Sequence, residues 1–355
     1  MQQKTERLVY IDVAKGIGII LVVLIHIIFS SDSFNDLSYI RNYIYAFHMP
    51  LFFIISGYCL FQKYHDSQQI IDVKHALYRL CKKFLPCYFL WSIIYIFLLK
   101  ATNQPVDIME RIRVVITTKG IAPLWFIITL FLCEFFFVIA HKYLMKRKSF
   151  YYCFFVILVL LTLLSGSKYE SIIAALNNKS ILGISVPIII LVLFRFITCL
   201  TMLYAGYLLG DIFEKISINK LAAFIGSLIS IGLMCYAVAK TQNYVNLHLF
   251  QMENPGIFMI TSILGSLGII LLSYAVQIHA HWLAFIGRYS LGIMIIHYMP
   301  LRIMEYAGKL SFMVTSSSYL AVFLTLLITL GCCGCIIFVI NKKFYLSNSK
   351  EQPSS

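Results

Sequence analysis

The sequence predicts an all-α integral membrane protein with about ten transmembrane helices and both termini in the cytoplasm. Three observations predict it. Of the 355 residues, 60% are hydrophobic and only 12% are charged, against about 25% charged in a soluble domain. Mean hydropathy is +0.85. Apolar runs of about 20 residues recur between positions 10 and 340, and a helix of ~20 apolar residues crosses a ~30 Å hydrocarbon core.

The expected spans are 10–30, 44–62, 84–100, 121–140, 150–167, 189–210, 221–239, 257–277, 282–301 and 318–341. The stretch 180–187 is apolar but interrupted, and either lengthens the sixth helix or lies as a re-entrant piece. No polar stretch between spans is long enough for a second fold. The expected organisation is one membrane domain over 1–345 and a short polar cytoplasmic tail over 346–355. The N-terminal apolar run is too long and too charged for a signal peptide and has no small-residue cleavage site. A multi-pass protein of the cell membrane (inner or plasma membrane) is expected.

The net charge is +14. No basic stripe lies on a soluble module, so nucleic acid is not an expected partner. The excess instead sorts by side. With the N-terminus in the cytoplasm, most of the 29 Lys and Arg flank the cytoplasmic ends of the spans, as the positive-inside rule requires. Nearly all ten cysteines lie in apolar segments. Cys332, Cys333 and Cys335 sit mid-helix beside Gly331 and Gly334, which reads as close helix packing rather than a metal site. No metal is expected.

Ionisable residues at membrane depth are costly and mark function by default. The first span carries Asp12, Lys15 and His26. An eleven-residue spacing is three turns plus ~20°, so Lys15 and His26 share a face and stand about 16 Å apart along the axis. Asp12 lies on the same stripe, one turn from Lys15. Lys15 also suits a snorkelling position paired with Asp12; His26 has no such explanation. His48 opens the second span before Pro50, either as an interfacial cap or as a functional group at the depth of His26. The ninth span holds Arg288 at its cytoplasmic mouth, then Ser290 and His297 seven residues apart on one face. Glu134 and Arg195 lie in the fourth and sixth spans, either as a structural pair or as functional groups at membrane depth. Trp125 suits an aromatic belt. Arg79, Lys82 and Lys83 precede the third span. They serve as topology-setting charge or, more sharply, as a phosphate clamp.

Sorted by depth, Arg79, Lys82, Lys83, Lys15 and Arg288 crowd the cytoplasmic side, while His26, His48 and His297 occupy the middle and outer part. A polyanionic cytosolic ligand at one end and proton chemistry further out would use such an arrangement.

These residues resemble the membrane acyltransferase-3 family. The stretch from Arg7 through Asp12, Lys15 and Gly16 to His26 is similar to its first-helix signature, and Phe47-His48-Met49-Pro50 through Ser56-Gly57-Tyr58 to its second. Arg79-x-x-Lys82 before Pro86 resembles its Arg-x-x-Arg loop, with Lys in the second place. Leu124-Trp125-Phe126, Gly206-Tyr207-Leu208 and Ile286-Gly287-Arg288-Tyr289-Ser290 with His297 resemble later motifs. The resemblance runs in order along most of the chain and is to stand-alone members, without the esterase-like domain that many carry. It implies ten helices and transfer of an acyl group, usually acetyl from acetyl-CoA, to an extracytoplasmic glycan such as a surface polysaccharide, an O-antigen or a lipid-linked precursor.

The expectation is therefore an acetyl-CoA-dependent O-acetyltransferase. Arg79, Lys82 and Lys83 would hold the CoA phosphates, with Lys15, Asp12 and Arg288 at the entrance. His26 would take the proton from a sugar hydroxyl or, as an alternative, carry the acyl group. His48, Ser290 and His297 would relay protons or position the acceptor. The rival expectation is a proton-coupled transporter, since buried His, Glu and Arg also build proton relays; no repeated halves are visible. A scaffold without chemistry leaves the buried histidines unexplained.

Overall fold

The computed structural model describes residues 8–29, 39–65, 72–104, 107–143, 148–177, 179–181, 183–307 and 318–348. Among them lie α1 (Val9–Phe29), α2 (Ile40–Tyr45), α3 (His48–Tyr64), α4 (Val73–Ala101), α5 (Ile108–Ile116), α6 (Leu124–Tyr143) and α7 (Lys148–Leu176). A small hairpin, β1 (Ser180–Ile181) with β2 (Ile184–Ser185), leads into α8 (Val186–Lys215) and α9 (Lys220–Thr241). A second hairpin, β3 (Val245–Asn246) with β4 (Gln251–Met252), leads into α10 (Pro255–Val276). The chain closes with α11 (His281–Arg288), α12 (Ser290–Ile296), α13 (Tyr298–Tyr306) and α14 (Ser318–Asn348).

Helices dominate because the apolar runs leave no other way to satisfy backbone groups in hydrocarbon. Polar caps mark several starts. Asp72 accepts from the His75 amide, Asp107 from Met109 and Glu110, Asn219 from Ala222, and Asn254 from Gly256 and Ile257. Each supplies an acceptor to amides that have no helical partner. Pro255 opens α10 at a position where its missing N–H costs nothing.

Nine helices among the described residues are long and apolar enough to span a membrane, with α2 and α3 counted as one segment. In the most apolar stretch of α2 and α3, 83% of the residues are buried, against 17% in that of α14. α1, α6 and α10 are likewise mostly buried, and α4, α7 and α9 mostly exposed. The bundle is thus a core of α1, α3, α6 and α10 within a peripheral set whose apolar side chains, such as Leu228, Phe323 and Leu327, face outward. The most extensive packing joins α3 to α8, α10 to α9 and α1 to α11.

The structure departs from the sequence expectation in three places. The segment expected as one helix over 282–301 is three short helices, broken at Tyr289 and His297. Pro300 explains the second break, because its ring collides with the carbonyl four residues back in a continuous helix. With this broken rod, the nine long segments account for the ten apolar segments of the sequence. The 180–187 stretch divides: Ser180–Ser185 forms the first hairpin, and Val186 with Pro187 begins α8. The amphipathic α5 is an addition, with Val114 and Val115 buried and Ile112 and Ile116 exposed. Positions 349–355 of the expected polar tail, and Lys4, Arg7, Lys146, Arg147, Lys309 and Lys350 among the topology-setting cations, lie outside the described residues.

Candidate active site

Near the C-terminal end of α1 the core opens into a cavity of about 250 Å³. His26 of α1 and His48 of α3 line it, with Tyr45 of α2, Trp125 and Phe126 of α6, and Asn246 and His248 of the second hairpin. His297, at the α12–α13 break, is fully buried and sets its ring against that of His26, edge to face, with centroids 4.9 Å apart. The structure thus gathers His26, His48 and His297 at one place.

The three imidazoles are anchored in the same way. Nδ1 of His26 lies 2.7 Å from the Val22 carbonyl oxygen, Nδ1 of His48 2.8 Å from that of Ile44, and Nδ1 of His297 3.0 Å from that of Ile293. A ring nitrogen at that distance from a carbonyl carries the proton and donates it. In the neutral ring the lone pair is then on Nε2. His297 Nε2 is buried and has no hydrogen-bond partner among the described residues. Among those residues no three His, Cys, Asp or Glu side chains are placed to hold a metal ion.

The roof of the cavity comes from two loops. His248 stacks on Trp125 with centroids 5.7 Å apart and planes 14° from parallel. The Arg195 guanidinium lies 5.2 Å over the Trp125 ring and donates to the carbonyls of His248 at 3.2 Å and of Thr118 and Lys119 at 3.0 Å. Burial, then the positive charges of Arg195, Lys119 and His26, push His248 down to about 3. His248 is neutral across the physiological range.

Glu134 and Arg195 are therefore separate features. Glu134 accepts from Ser56 Oγ at 2.6 Å, joining α6 to α3, while Arg195 serves backbone carbonyls.

At the other end of α1, about 21 Å from His26 by helix rise over fourteen residues, Asp12 is buried and meets Arg288 Nε at 3.7 Å. That contact depends on backbone-to-backbone packing of α1 on α11. A Cβ at Gly287 would stand 1.8 Å from the Asp12 carbonyl oxygen, and one at Gly16 2.2 Å from that of Leu283. Lys15 is half-buried. Cys59 of α3 is exposed although its helix is deeply buried. Arg79, Lys82 and Lys83 are exposed on α4, and Lys83 Nζ lies 4.3 Å over the Phe84 ring. Ser290 is buried in the first turn of α12 and does not line the cavity.

Sequence reasoning missed His248, Asn246 and Tyr45. Asn246 and His248 sit in a short loop without periodicity, and only the presence of a further histidine beside an apolar span marked the place. The arrangement can hold a hydroxyl-bearing ligand against an imidazole lone pair at one end and an anionic ligand against cations at the other. Compared with known families, residues 8–339 match the acyltransferase-3 model, an acyltransferase domain. Neither the curated proteins nor the solved structures give a match.

Proposed function

The chain belongs to the acyltransferase-3 family and is a membrane acyltransferase; from that premise we propose that it transfers acetyl from acetyl-CoA to a hydroxyl of a cell-surface polysaccharide, O-antigen or lipid-linked glycan precursor. It would do so in the inner or plasma membrane, with both termini cytoplasmic. The observation that carries the reading is the His26 imidazole, which lines the cavity with Nδ1–H on the Val22 carbonyl, an arrangement that leaves the lone pair of the neutral ring on Nε2.

In this reading the acceptor enters the outer cavity. Its lining supports a sugar: aromatic faces of Trp125 and Phe126 suit apolar C–H faces, and His48, Asn246 and Tyr45 suit hydroxyls. His26 Nε2 takes the hydroxyl proton as the oxygen attacks the thioester carbonyl. The tetrahedral intermediate collapses, the C–S bond breaks, and the imidazolium returns the proton to the departing CoA thiolate. His297 stands behind His26 as a positioning group, and His48 faces the acceptor from the cavity wall. Ser290 does not line this cavity, and no step of the reaction is assigned to it. Arg79, Lys82 and Lys83 take the CoA phosphates. Lys82 does so as a point charge, since an ammonium lacks the planar fork of a guanidinium. Asp12, Lys15 and Arg288 form the entrance for the thioester arm.

Membranes with and without the protein, given radiolabelled acetyl-CoA, test the reading. Label should enter surface polysaccharide only with the protein, and His26→Ala should cut the rate by about 10²–10⁴, the usual contribution of a general base, without loss of folded protein. Full acetylation by His26→Ala would remove the assigned base. No label from acetyl-CoA with any glycan would remove the donor assignment.

A further inference from the structure

Arg195 is the largest fully buried side chain in the described protein, and the proposed reaction makes no use of it. It lies within α8, yet its hydrogen bonds all run to loops far away in sequence. One guanidinium nitrogen donates to the His248 carbonyl, and the other to both Thr118 and Lys119. Its Nε has no partner among the described residues, so the side chain is aimed by the loops alone. The first loop, 117–123, feeds Ala122, Pro123 and the root of Trp125 into the cavity; the second, between β3 and β4, feeds Asn246, Leu247 and His248.

Both loops hold unusual backbone. Thr118, Gly120 and Ala122 have φ of 58°, 84° and 48°, and Phe250 has 55°. Such conformations persist only where surroundings over-determine them. Buried carbonyls in these loops need donors, and a planar fork with five N–H groups can serve three at once. A lysine ammonium keeps the charge but not that geometry.

We propose that Arg195 is a positioning residue that fastens loop 117–123 to the β3–β4 hairpin and thereby fixes Trp125 and His248 as the roof of the acceptor subsite. The fastening stands on the contacts alone; the word acceptor rests on the acyltransferase reading. The guanidinium lies over the Trp125 ring, on which His248 also stacks, so loss of the fork frees both rings together.

Amide hydrogen exchange and acceptor kinetics on the full-length purified protein test the proposal. In Arg195→Lys, exchange in 117–123 and 245–252 should rise together, with α1 and α3 unchanged. The acceptor KM should rise about tenfold or more, while kcat at saturating acceptor and the KM for acetyl-CoA stay within about threefold, the pattern of lost acceptor binding. Unchanged exchange in either loop, or a fall in kcat with acceptor KM intact, overturns the proposal. If Arg195→Lys does not fold, Gly120→Ala decides. A Cβ there would stand 2.4 Å from the Trp125 Cα, so the first loop must shift while Arg195 remains. Faster exchange in 245–252 of that variant supports the fastening, and an unaffected hairpin refutes it. Exchange reports on the fastening even where no acetyl transfer is seen, so failure of the reaction assignment is read separately.

Discussion

His297→Phe should leave the protein as stable as before or more so, and slow it. The ring is fully buried, and its Nε2 lacks a partner among the described residues. An orphaned buried polar atom costs about 1–3 kcal/mol. Phenylalanine removes that cost and fills a similar volume. It also removes the Nδ1–H bond to Ile293, a net contribution of about 1 kcal/mol. The Ile293 carbonyl is not stranded, because it also accepts the His297 backbone N–H at 2.9 Å. The balance is a change between zero and about 2 kcal/mol in favour of the variant, and Tm should hold or rise by a few degrees. Acetyl transfer should fall by about 10–100-fold, because the imidazole packed edge to face at 4.9 Å no longer orients His26 or shares its positive charge. Thermal unfolding in detergent and labelled acetyl transfer measure the two quantities. A Tm drop of about 5 °C or more would mean that Nε2 is satisfied in the native protein. Undiminished transfer would mean that His297 is only packing.

Three further outcomes follow from the same geometry. Gly287→Ala must push α11 off α1, since the new Cβ would meet the Asp12 carbonyl at 1.8 Å; a loss of about 1–3 kcal/mol is expected, and an unchanged unfolding midpoint would contradict the packing. Cys59 should react with a water-soluble maleimide, and free CoA should slow that reaction, because the thiol is exposed on α3, which packs on α1, the helix that carries Lys15 at the proposed entrance; equal labelling with and without saturating CoA would detach that entrance from the donor. His248, held near 3 against an ordinary 6.5, binds fewer protons folded than unfolded between those values, so its contribution makes stability fall as pH drops from about 6.5 towards 3. His248→Phe should flatten that part of the unfolding profile, and an unchanged slope would show that His248 is not buried as a neutral ring.

The spans were legible because hydrocarbon leaves the backbone one choice, and a run of about 20 apolar residues declares it. His26, His48 and His297 were legible for the same reason: an imidazole among aliphatic neighbours stands out at any depth. Their meeting was not legible, since it joins the first helix to the broken rod 271 positions later. Arg195 and Glu134 drew notice as opposite charges, and the pairing inferred from sign alone is absent. Arg195 reaches loop carbonyls, which leave no trace in side-chain chemistry, and Glu134 meets Ser56, a residue too common to signal anything. The hairpin with His248 is four paired residues and a turn, too short for periodicity to register.

The meeting of α1 with α11, α12 and α14 also has a meaning for biogenesis. α1 leaves the ribosome before the other described helices, and these partners leave after α10. At ~5–20 residues per second, synthesis of the intervening chain takes roughly 15–50 s. Through that interval α1 waits in the bilayer without the helices that cover Asp12 and His26 on one side, and no chain that stops before His297 can assemble the histidine cluster. The reactive centre therefore comes into being only after α12 has been made, and a nascent chain that stops short of His297 lacks it.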